Sequence, residues 1–189
     1  MNIPTLESEI VKLAPLTLDN YKNLYAISSE KDLVQYSPSN ISTLQALTDY
    51  VKTALAEAEK GKAIPFIIYD KRSQRYAGTT RYMHVDWNNK VLHIGATWIG
   101  RDFQGTGLNT AMKFLMMDYA FYKMNFEKVE FRVDERNFQS RRAIEKLGAK
   151  LEGVLRKNVY LMDGFKRNTC CYGILKEEWT TFKNTEINR

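Results

Sequence analysis

The sequence has few of the residues that mark metal-binding or disulfide-stabilised proteins. Its 189 residues include only two cysteines and two histidines. Cys170 and Cys171 are adjacent, so in a strand their side chains point to opposite faces and make a poor disulfide. Together with His84 and His93 they are too few and too scattered for a standard zinc site. We therefore expect neither a metal nor a disulfide.

The sequence also lacks long apolar runs and linker-like segments. No stretch approaches the roughly 18 uninterrupted apolar residues that are typical of a membrane-spanning helix. Residues 1–12 carry Glu7 and Glu9 and lack the basic-then-apolar order of a secretory signal. There are four prolines, and we find no repeat and no segment rich in Pro, Gly and Ser. Because domains commonly run about 100–200 residues, we expect one cytoplasmic domain over residues 1–189, without membrane association.

The charge is positive but spread out. Lys and Arg number 28 and Asp and Glu 22, which gives a formal net charge of +6. The cations come in pairs, and no block reaches five or six like charges, which argues against a disordered nucleic-acid arm. A basic surface of this kind is compatible with nucleic acid, with a polyanionic cofactor or with ordinary solvation. A non-catalytic, basic RNA-binding or ribosome-binding module therefore stays open as one alternative.

The apolar residues change period along the chain. Spacings of three and four predict helices over residues 17–29, 42–60, 108–123 and 137–147, the second starting at a capping box of Ser42 and Gln45. Alternation and short apolar runs predict strands over residues 10–16, 64–69, 76–85, 91–99, 129–133, 151–161 and 165–175. The expected fold class is α+β: a mixed, mostly antiparallel sheet of about seven strands flanked by about four helices.

The segment Gln104-Gly105-Thr106-Gly107 lies between a predicted strand and a predicted helix. Glycines allow backbone N–H groups to approach a ligand, and the start of a helix favours phosphate. It is not a Walker A loop, because Leu108 and Asn109 follow where Lys and Ser or Thr are required. A plain tight turn explains the two glycines equally well.

A second polar segment begins another predicted helix. Asn137 is placed to cap that helix, and Ser140 follows three residues later, ahead of Arg141 and Arg142. One interpretation is a helix cap with solvated neighbours. The other is a polar helix start that faces a ligand bound on the preceding strand.

Taken together, the two segments are more specific than either alone. The stretches TWIGRDFQGTGLNTAMKFLMMDYAF and VEFRVDERNFQSRRAIEKLGAKLEG resemble the GNAT N-acetyltransferase superfamily. The closing MDGFKRNTCCYGILKEEW is similar to its branch of ribosomal-protein N-terminal (alanine/serine) acetyltransferases. The resemblance covers roughly residues 8–180, and its diagnostic part is residues 95–179.

This resemblance implies an enzyme that moves an acetyl group from acetyl-CoA directly to a primary amine, with no metal. The residues that match the family's cofactor-binding positions are Thr97, Trp98, Ile99, Gln104, Gly105, Thr106, Gly107, Leu108, Asn109, Asn137 and Ser140. Thr97, Trp98 and Ile99 match the strand whose backbone binds pantetheine. The loop and the helix start match the pyrophosphate site.

The sequence departs from the family pattern at three positions. Asp102 stands where Gln or Arg is usual, three residues before the first loop glycine, and an acid there would repel phosphate. Ile144 aligns with a tyrosine that protonates the leaving thiolate in many members, which leaves Ser140 as the candidate acid. His93 matches a strand position that often carries a glutamate base. An imidazole could deprotonate an ammonium near neutral pH, but His93 is equally explained as a half-buried structural residue.

The acceptor amine is left open by the sequence. The resemblance points to a protein N-terminus, and the alternative is a small-molecule amine such as a polyamine, an amino acid or an aminoglycoside. Nucleic acid is expected only through a ribosomal substrate, and the protein is expected to be a monomer or a homodimer. The loops around residues 30–42 and 157–170 set the acceptor.

Overall fold

A computed structural model describes residues 3–187 of the chain. Within this range eight strands form a sheet in the order β1-β2-β3-β4-β5-β6-β8-β7. They are β1 Leu6–Glu7, β2 Val11–Pro15, β3 Ala63–Asp70, β4 Arg75–Asp86, β5 Val91–Ile99, β6 Lys128–Asp134, β7 Lys150–Tyr160 and β8 Lys166–Leu175. Neighbouring strands are antiparallel except β5 and β6, which are parallel. The mixed, mostly antiparallel sheet is thus confirmed, and the two-residue β1 is the strand beyond the expected seven.

Five α-helices lie in the described range. They are α1 Tyr25–Ser28, α2 Leu44–Glu59, α3 Leu108–Asp118, α4 Phe138–Glu145 and α5 Lys176–Ile187. A 3-10 turn precedes α1, and a π-helical turn over Tyr119–Lys123 extends α3. The sequence did not predict α5, because its few apolar residues form no stripe. Trp179 nevertheless anchors it, fully buried with its indole N–H 2.8 Å from Asp118 Oδ1.

The helices cover the two faces of the sheet. Consecutive strand residues point to opposite faces, and Arg81 and Tyr82 of β4 show which helix lies on each. The Arg81 guanidinium stacks on the Tyr50 ring of α2 at 4.7 Å. The Tyr82 hydroxyl donates a hydrogen bond of 2.7 Å to the Met116 carbonyl of α3. We call these the α2 face and the α3 face of the sheet.

The start of α2 differs from the expected capping box. The N-cap is Thr43, whose hydroxyl accepts a hydrogen bond of 3.1 Å from the Ala46 N–H. Ser42 instead donates to Asn40, and the Gln45 amide reaches forward to Asp49. Thr and Ser cap helices by the same chemistry, so adjacent candidates cannot be separated by residue type.

We predict that Leu47 of α2 is essential for packing on the sheet, whereas Leu44 of the same helix is not. Leu47 is fully buried, and Leu44 is 43% exposed. Leu47→Ala should lower the free energy of unfolding by about 2–5 kcal/mol, because burial is lost and a cavity remains. Leu44→Ala, the matched control, should change it by about 0.5 kcal/mol or less. Urea denaturation of both variants measures the difference, and equal losses would contradict the assigned faces.

Candidate active site

The parallel pair β5 and β6 stays together over only part of its length. Val91, Leu92 and His93 pair with Lys128, Val129 and Glu130, and no further pairs form. Beyond this point β5 continues to Ile99 and β6 to Asp134 without hydrogen bonding to each other. The two strands therefore leave a V-shaped gap in the middle of the sheet.

A cleft of about 380 Å³ runs through this gap. Five predicted site residues line it: His93, Thr97, Trp98, Asn137 and Ser140. Ile99 and the loop residues Gln104, Gly105, Thr106, Gly107, Leu108 and Asn109 lie outside its walls. The structure thus brings the candidate catalytic residues together and places the glycine loop beyond them.

A β-bulge shapes the β5 wall of the cleft. Thr79 and Arg81 of β4 pair with Trp98 and Gly95, so β5 has one residue more between the two pairs. Ala96 takes up the extra residue with a φ of +47°, which is unusual for a side chain other than glycine. The Tyr50 hydroxyl of α2 donates a hydrogen bond of 3.1 Å to the Ala96 carbonyl. The bulge is therefore held from the helix side.

Trp98 carries an unpaired buried donor. Its side chain is 5% exposed, and its Nε1–H is the one fully buried side-chain polar atom in residues 3–187 without a hydrogen-bond partner. Leaving a buried donor unpaired costs about 1–3 kcal/mol. An acceptor atom of a bound ligand would remove this cost.

The glycine loop ends at the start of α3. Gly105 and Gly107 have φ values of +74° and +85°, and a Cβ added at either position would meet no atom within 4 Å. Gly107 is the N-cap residue and provides no side-chain cap for the helix. The Leu108 N–H lies 3.5 Å from the Thr106 hydroxyl oxygen, and the next N–H groups of α3 are available for an anion, as expected at a helix start.

Two arginines that the sequence did not single out border this loop. Arg72 donates a hydrogen bond of 3.0 Å to the Thr106 carbonyl while it pairs with Asp70. Arg75 pairs with Asp102 at 3.1 Å, so the carboxylate at the atypical loop position is partly neutralised. These two cations come from the β3–β4 connection and from the start of β4.

The start of α4 confirms the predicted cap. Asn137 is the N-cap residue, and its Oδ1 accepts a hydrogen bond of 3.1 Å from the Ser140 N–H. The Ser140 hydroxyl makes no hydrogen bond to another residue in the described range and faces the cleft. The aligned position Ile144 is buried and also lines the cleft, so α4 contributes no phenol there.

His93 lies at the apex of the gap and is held by a neighbour. Its Nε2 is 3.0 Å from Oε2 of Glu130, and Lys128 holds the other oxygen of Glu130 at 2.9 Å. The imidazole is 8% exposed and packs edge-on against His84, with ring centres 4.8 Å apart. Burial lowers the pKa of His93 below its ordinary value despite the opposing effect of Glu130. His93 is therefore a neutral imidazole at pH 7.

Four polar residues of the site were missed from the sequence: Tyr50, Glu130, Lys113 and Arg167. Arg167 donates a hydrogen bond of 2.8 Å to the Tyr36 carbonyl and so holds the loop that covers the cleft. Lys113 is an ammonium on the buried side of α3. The sequence did contain an indication for Lys113, because this residue directly follows Met112, which belongs to the apolar stripe of the helix. The other three depend on contacts across the sheet.

The described part of the chain gives no sign of a metal or a membrane-spanning helix. Among residues 3–187 no group of three or more His, Cys, Asp or Glu side chains is arranged to hold a metal ion. In the same range no helix is both long and apolar enough to cross a membrane. Cys170 and Cys171 are both free thiols.

Comparisons with known proteins agree with this geometry. A family model described as "Acetyltransferase (GNAT) domain" matches residues 11–150. The chain is 26% identical over 159 residues to the probable N-acetyltransferase YjcK of Bacillus subtilis. This alignment covers 82% of this chain and 88% of that protein.

Two solved structures have similar folds. A GCN5-related N-acetyltransferase from Brucella melitensis superposes with a TM-score of 0.87 at 26% identity, over 97% of this chain and 84% of that one. Mycobacterium smegmatis RimJ in complex with CoA-disulfide has a TM-score of 0.82 at 20% identity, over 94% and 90% of the two chains. With the match of the family model over most of its length, the chain belongs to the GNAT acetyltransferase family and is an N-acetyltransferase.

Proposed function

We propose that residues 1–189 form one cytoplasmic domain that transfers an acetyl group from acetyl-CoA to the amine of a protein N-terminus. One observation carries this proposal. Beyond His93 the two strands diverge, and past the far end of β5 the chain runs through two glycines of positive φ into a helix N-terminus whose N-cap residue has no side chain to cap it. A ligand with phosphates at one end and an extended arm fits this combination.

The residues of the loop and of β5 fit acetyl-CoA. The N–H groups at Gly105, Gly107 and the start of α3 would bind the phosphates, with Arg72 and Arg75 as neighbouring cations. Around Thr97, Trp98 and Ile99 the edge of β5 that faces the gap does not pair with β6 and would bind the pantetheine arm, although the Ile99 carbonyl already accepts a hydrogen bond of 2.9 Å from the Gln104 amide. When bound, acetyl-CoA supplies an activated thioester.

His93 is the proposed base for the acceptor ammonium. In the neutral ring, the bond to Glu130 assigns the proton to Nε2 and leaves Nδ1 as the acceptor. Glu130, fixed by Lys128, keeps the ring in this orientation. Positioning of two reactants can supply about 7–11 kcal/mol of a barrier, so one modest base is sufficient.

Ser140 is the proposed hydrogen-bond donor to the thioester sulfur. The Asn137 cap fixes the first turn of α4 and with it the direction of the Ser140 side chain. The proposed donor to the thioester oxygen is a backbone N–H of β5 beyond the bulge, between Trp98 and Gly100.

The charges of the cleft favour a protein N-terminus over a polycation. Its one carboxylate in the described range is Asp134, and Arg136 already holds both oxygens at 2.9 and 3.1 Å. Three cations line the cleft: Lys113, Arg132 and Arg167. A polyamine or an aminoglycoside would meet net repulsion here. A peptide carries a single charge at its N-terminus and offers carbonyl oxygens to these cations.

Arg132 and Arg167 also favour a second candidate among small amines, a free amino acid. Its carboxylate would pair with a guanidinium, since neither arginine has an ion-pair partner among the described residues. This candidate shares the cofactor site and the base with the first.

We predict that Gly105→Glu abolishes binding of acetyl-CoA. A carboxylate in the loop repels phosphate and fills the open space above the glycine. Acetyl-CoA at 100 times its dissociation constant should stabilise the native protein by about 2.7 kcal/mol, and the variant should show no stabilisation in thermal melts. Gly164→Glu is the matched control, because this turn glycine also has a positive φ and open space. Equal stabilisation of both variants would refute the loop assignment.

We predict that His93→Ala lowers kcat by about 10²–10⁴-fold, the usual contribution of a general base. In the native enzyme, kcat/KM should fall in acid solution, below pH 6.5, because protonation of a base with a lowered pKa removes its activity. Glu130→Gln should move this acidic limb to still lower pH, since the Glu130 charge raises the pKa of His93.

His84→Ala is the control for this experiment, because it removes the imidazole that packs beside His93. It should leave an acidic limb in the pH–rate profile. A profile of His93→Ala that keeps the native limb would exclude His93 as the base.

We predict that peptides with a free N-terminus are acetylated with a kcat/KM at least about tenfold above that of polyamines. The measurement is thiol release with a panel of peptides, free amino acids and polyamines at equal concentration. The same peptides with a blocked N-terminus and an internal lysine are the control. Faster turnover of a free amino acid would select the second candidate, and faster turnover of a polyamine would contradict both.

A further inference from the structure

Lys113 is a buried cation that the proposed mechanism does not yet use. Its side chain is 6% exposed on the inner side of α3, and its Nζ lies 5.3 Å from the centre of the Phe131 ring. It lines the same cleft as Ser140, Thr97 and Trp98. The ammonium is therefore aimed into the proposed path of the cosubstrate.

No protein group compensates this charge. Within residues 3–187, no carboxylate lies within 4.0 Å of Lys113 Nζ, and no hydrogen-bond acceptor contacts it. Burial alone lowers the pKa of Lys113 from 10.5 to about 8. Burying a charge without a partner is costly, so the arrangement is explained if a ligand supplies a negative charge in the cleft.

The cation and the proposed base lie on opposite faces of the sheet. Phe131 of β6 contacts Lys113 and so points to the α3 face, whereas its neighbours Glu130 and Arg132 point to the α2 face. His93 pairs with Glu130 and shares the α2 face. The cleft thus has a base on one side of the gap and an acid on the other.

The reaction creates one negative charge that needs such a partner. Acetyl transfer from a thioester releases a thiolate, and Ile144 provides no phenol to protonate it. The Ser140 hydroxyl can hydrogen-bond to sulfur but is a weak acid. Among the described residues that line the cleft, Lys113 is the ionisable donor on the α3 side.

We propose that Lys113 is the general acid that stabilises and protonates the departing thiolate of CoA. This inference rests on the proposed use of acetyl-CoA. The acceptor nitrogen forms a bond to the carbonyl carbon, and the carbon–sulfur bond breaks with its electron pair on sulfur. The Lys113 ammonium gives one proton to sulfur and becomes a neutral amine, which water reprotonates. The acceptor ammonium loses two protons: His93 takes the first before the attack and passes it to water, and then takes the second from the nitrogen once the bond to carbon has formed.

Other titratable groups surround Lys113 on both faces of the sheet. On the elements that contact α3 they are Glu7 of β1 (paired with Lys71), Lys12 of β2, Tyr82 of β4 and Lys183 of α5. Further groups are Cys170 and Tyr172 of β8, and Arg141 and Glu145 of α4. Burial raises the pKa of Tyr82 and of Cys170, so both are neutral at pH 7. Arg141 and Glu145 share the Tyr172 hydroxyl, and Lys183 pairs with Asp118. On the α2 face, the titratable or charged groups of the cleft are His84, His93, Arg132, Asp134 and Arg167.

The test is the pKa of the CoA thiol when bound to the whole protein. Saturating CoA is titrated with base while the ultraviolet absorbance of the thiolate is followed, and the complex with desulfo-CoA is the blank that removes the signal of the protein thiols. An opposite charge at close range lowers a pKa by about 1–3 pH units. The thiol pKa should therefore be about 1–3 pH units lower in the native protein than in Lys113→Met.

Two further variants complete the experiment. Lys123→Met is the matched control, since Lys123 is exposed and lies outside the cleft, and it should keep the native thiol pKa. Lys113→Arg keeps the charge but cannot release a proton, so it should keep a low thiol pKa while kcat falls. Lys113→Met should not lower Tm, because it replaces an unpaired buried charge by an apolar side chain.

The possible results separate the two proposals. Equal thiol pKa values in the native protein and in Lys113→Met would overturn the role of Lys113 and leave the proposed function intact. Failure of the native protein to bind CoA would overturn the proposed cosubstrate and, with it, this inference. A low thiol pKa that only Lys113→Met abolishes would support both.

Discussion

The structure depends on a parallel strand pair that is kept short. β5 and β6 share three residue pairs and then separate, although both strands continue. A connection between adjacent parallel strands needs a crossover, and here that crossover is the glycine loop and α3. The same constraint therefore creates the gap, places a helix N-terminus at its open end and directs α3 along one face. The antiparallel strands on both sides keep the sheet intact around the opening.

The gap also separates the two titratable groups, Lys113 and His93, onto different faces of the sheet. Because side chains alternate along β6, Phe131 meets Lys113 on one side while Glu130 meets His93 on the other. A proton acceptor and a proton donor can thus serve one small volume without neutralising each other. Burial disfavours the charged form of both groups: it lowers the pKa of His93 below its ordinary value and that of Lys113 to about 8, so at pH 7 the imidazole is neutral while the ammonium still predominates.

Much of the fold and part of the candidate site could be predicted from the sequence. The rest could not, and the reason is physical. The seven main strands, the Asn137 cap and the glycine loop depend on local spacing, which the sequence displays. Thr43 was missed as a cap because Ser42 has the same chemistry one residue earlier. Glu130 and Tyr50 act through partners 37 and 46 residues away, and no local pattern encodes such pairs. The non-catalytic RNA-binding alternative is wrong, since the family match identifies an enzyme.

The hydrogen bond from Tyr50 to Ala96 joins the two sides of the cleft. It joins α2, which lies on one side of the cleft, to the backbone bulge at Ala96 that shapes the β5 wall. Any acceptor that displaces α2 strains this bond and therefore loosens the bulge. Tight packing of α2 on the sheet therefore goes together with a well-formed β5 wall, because one hydrogen bond joins them. A single phenol links the position of α2 to the conformation of the β5 wall.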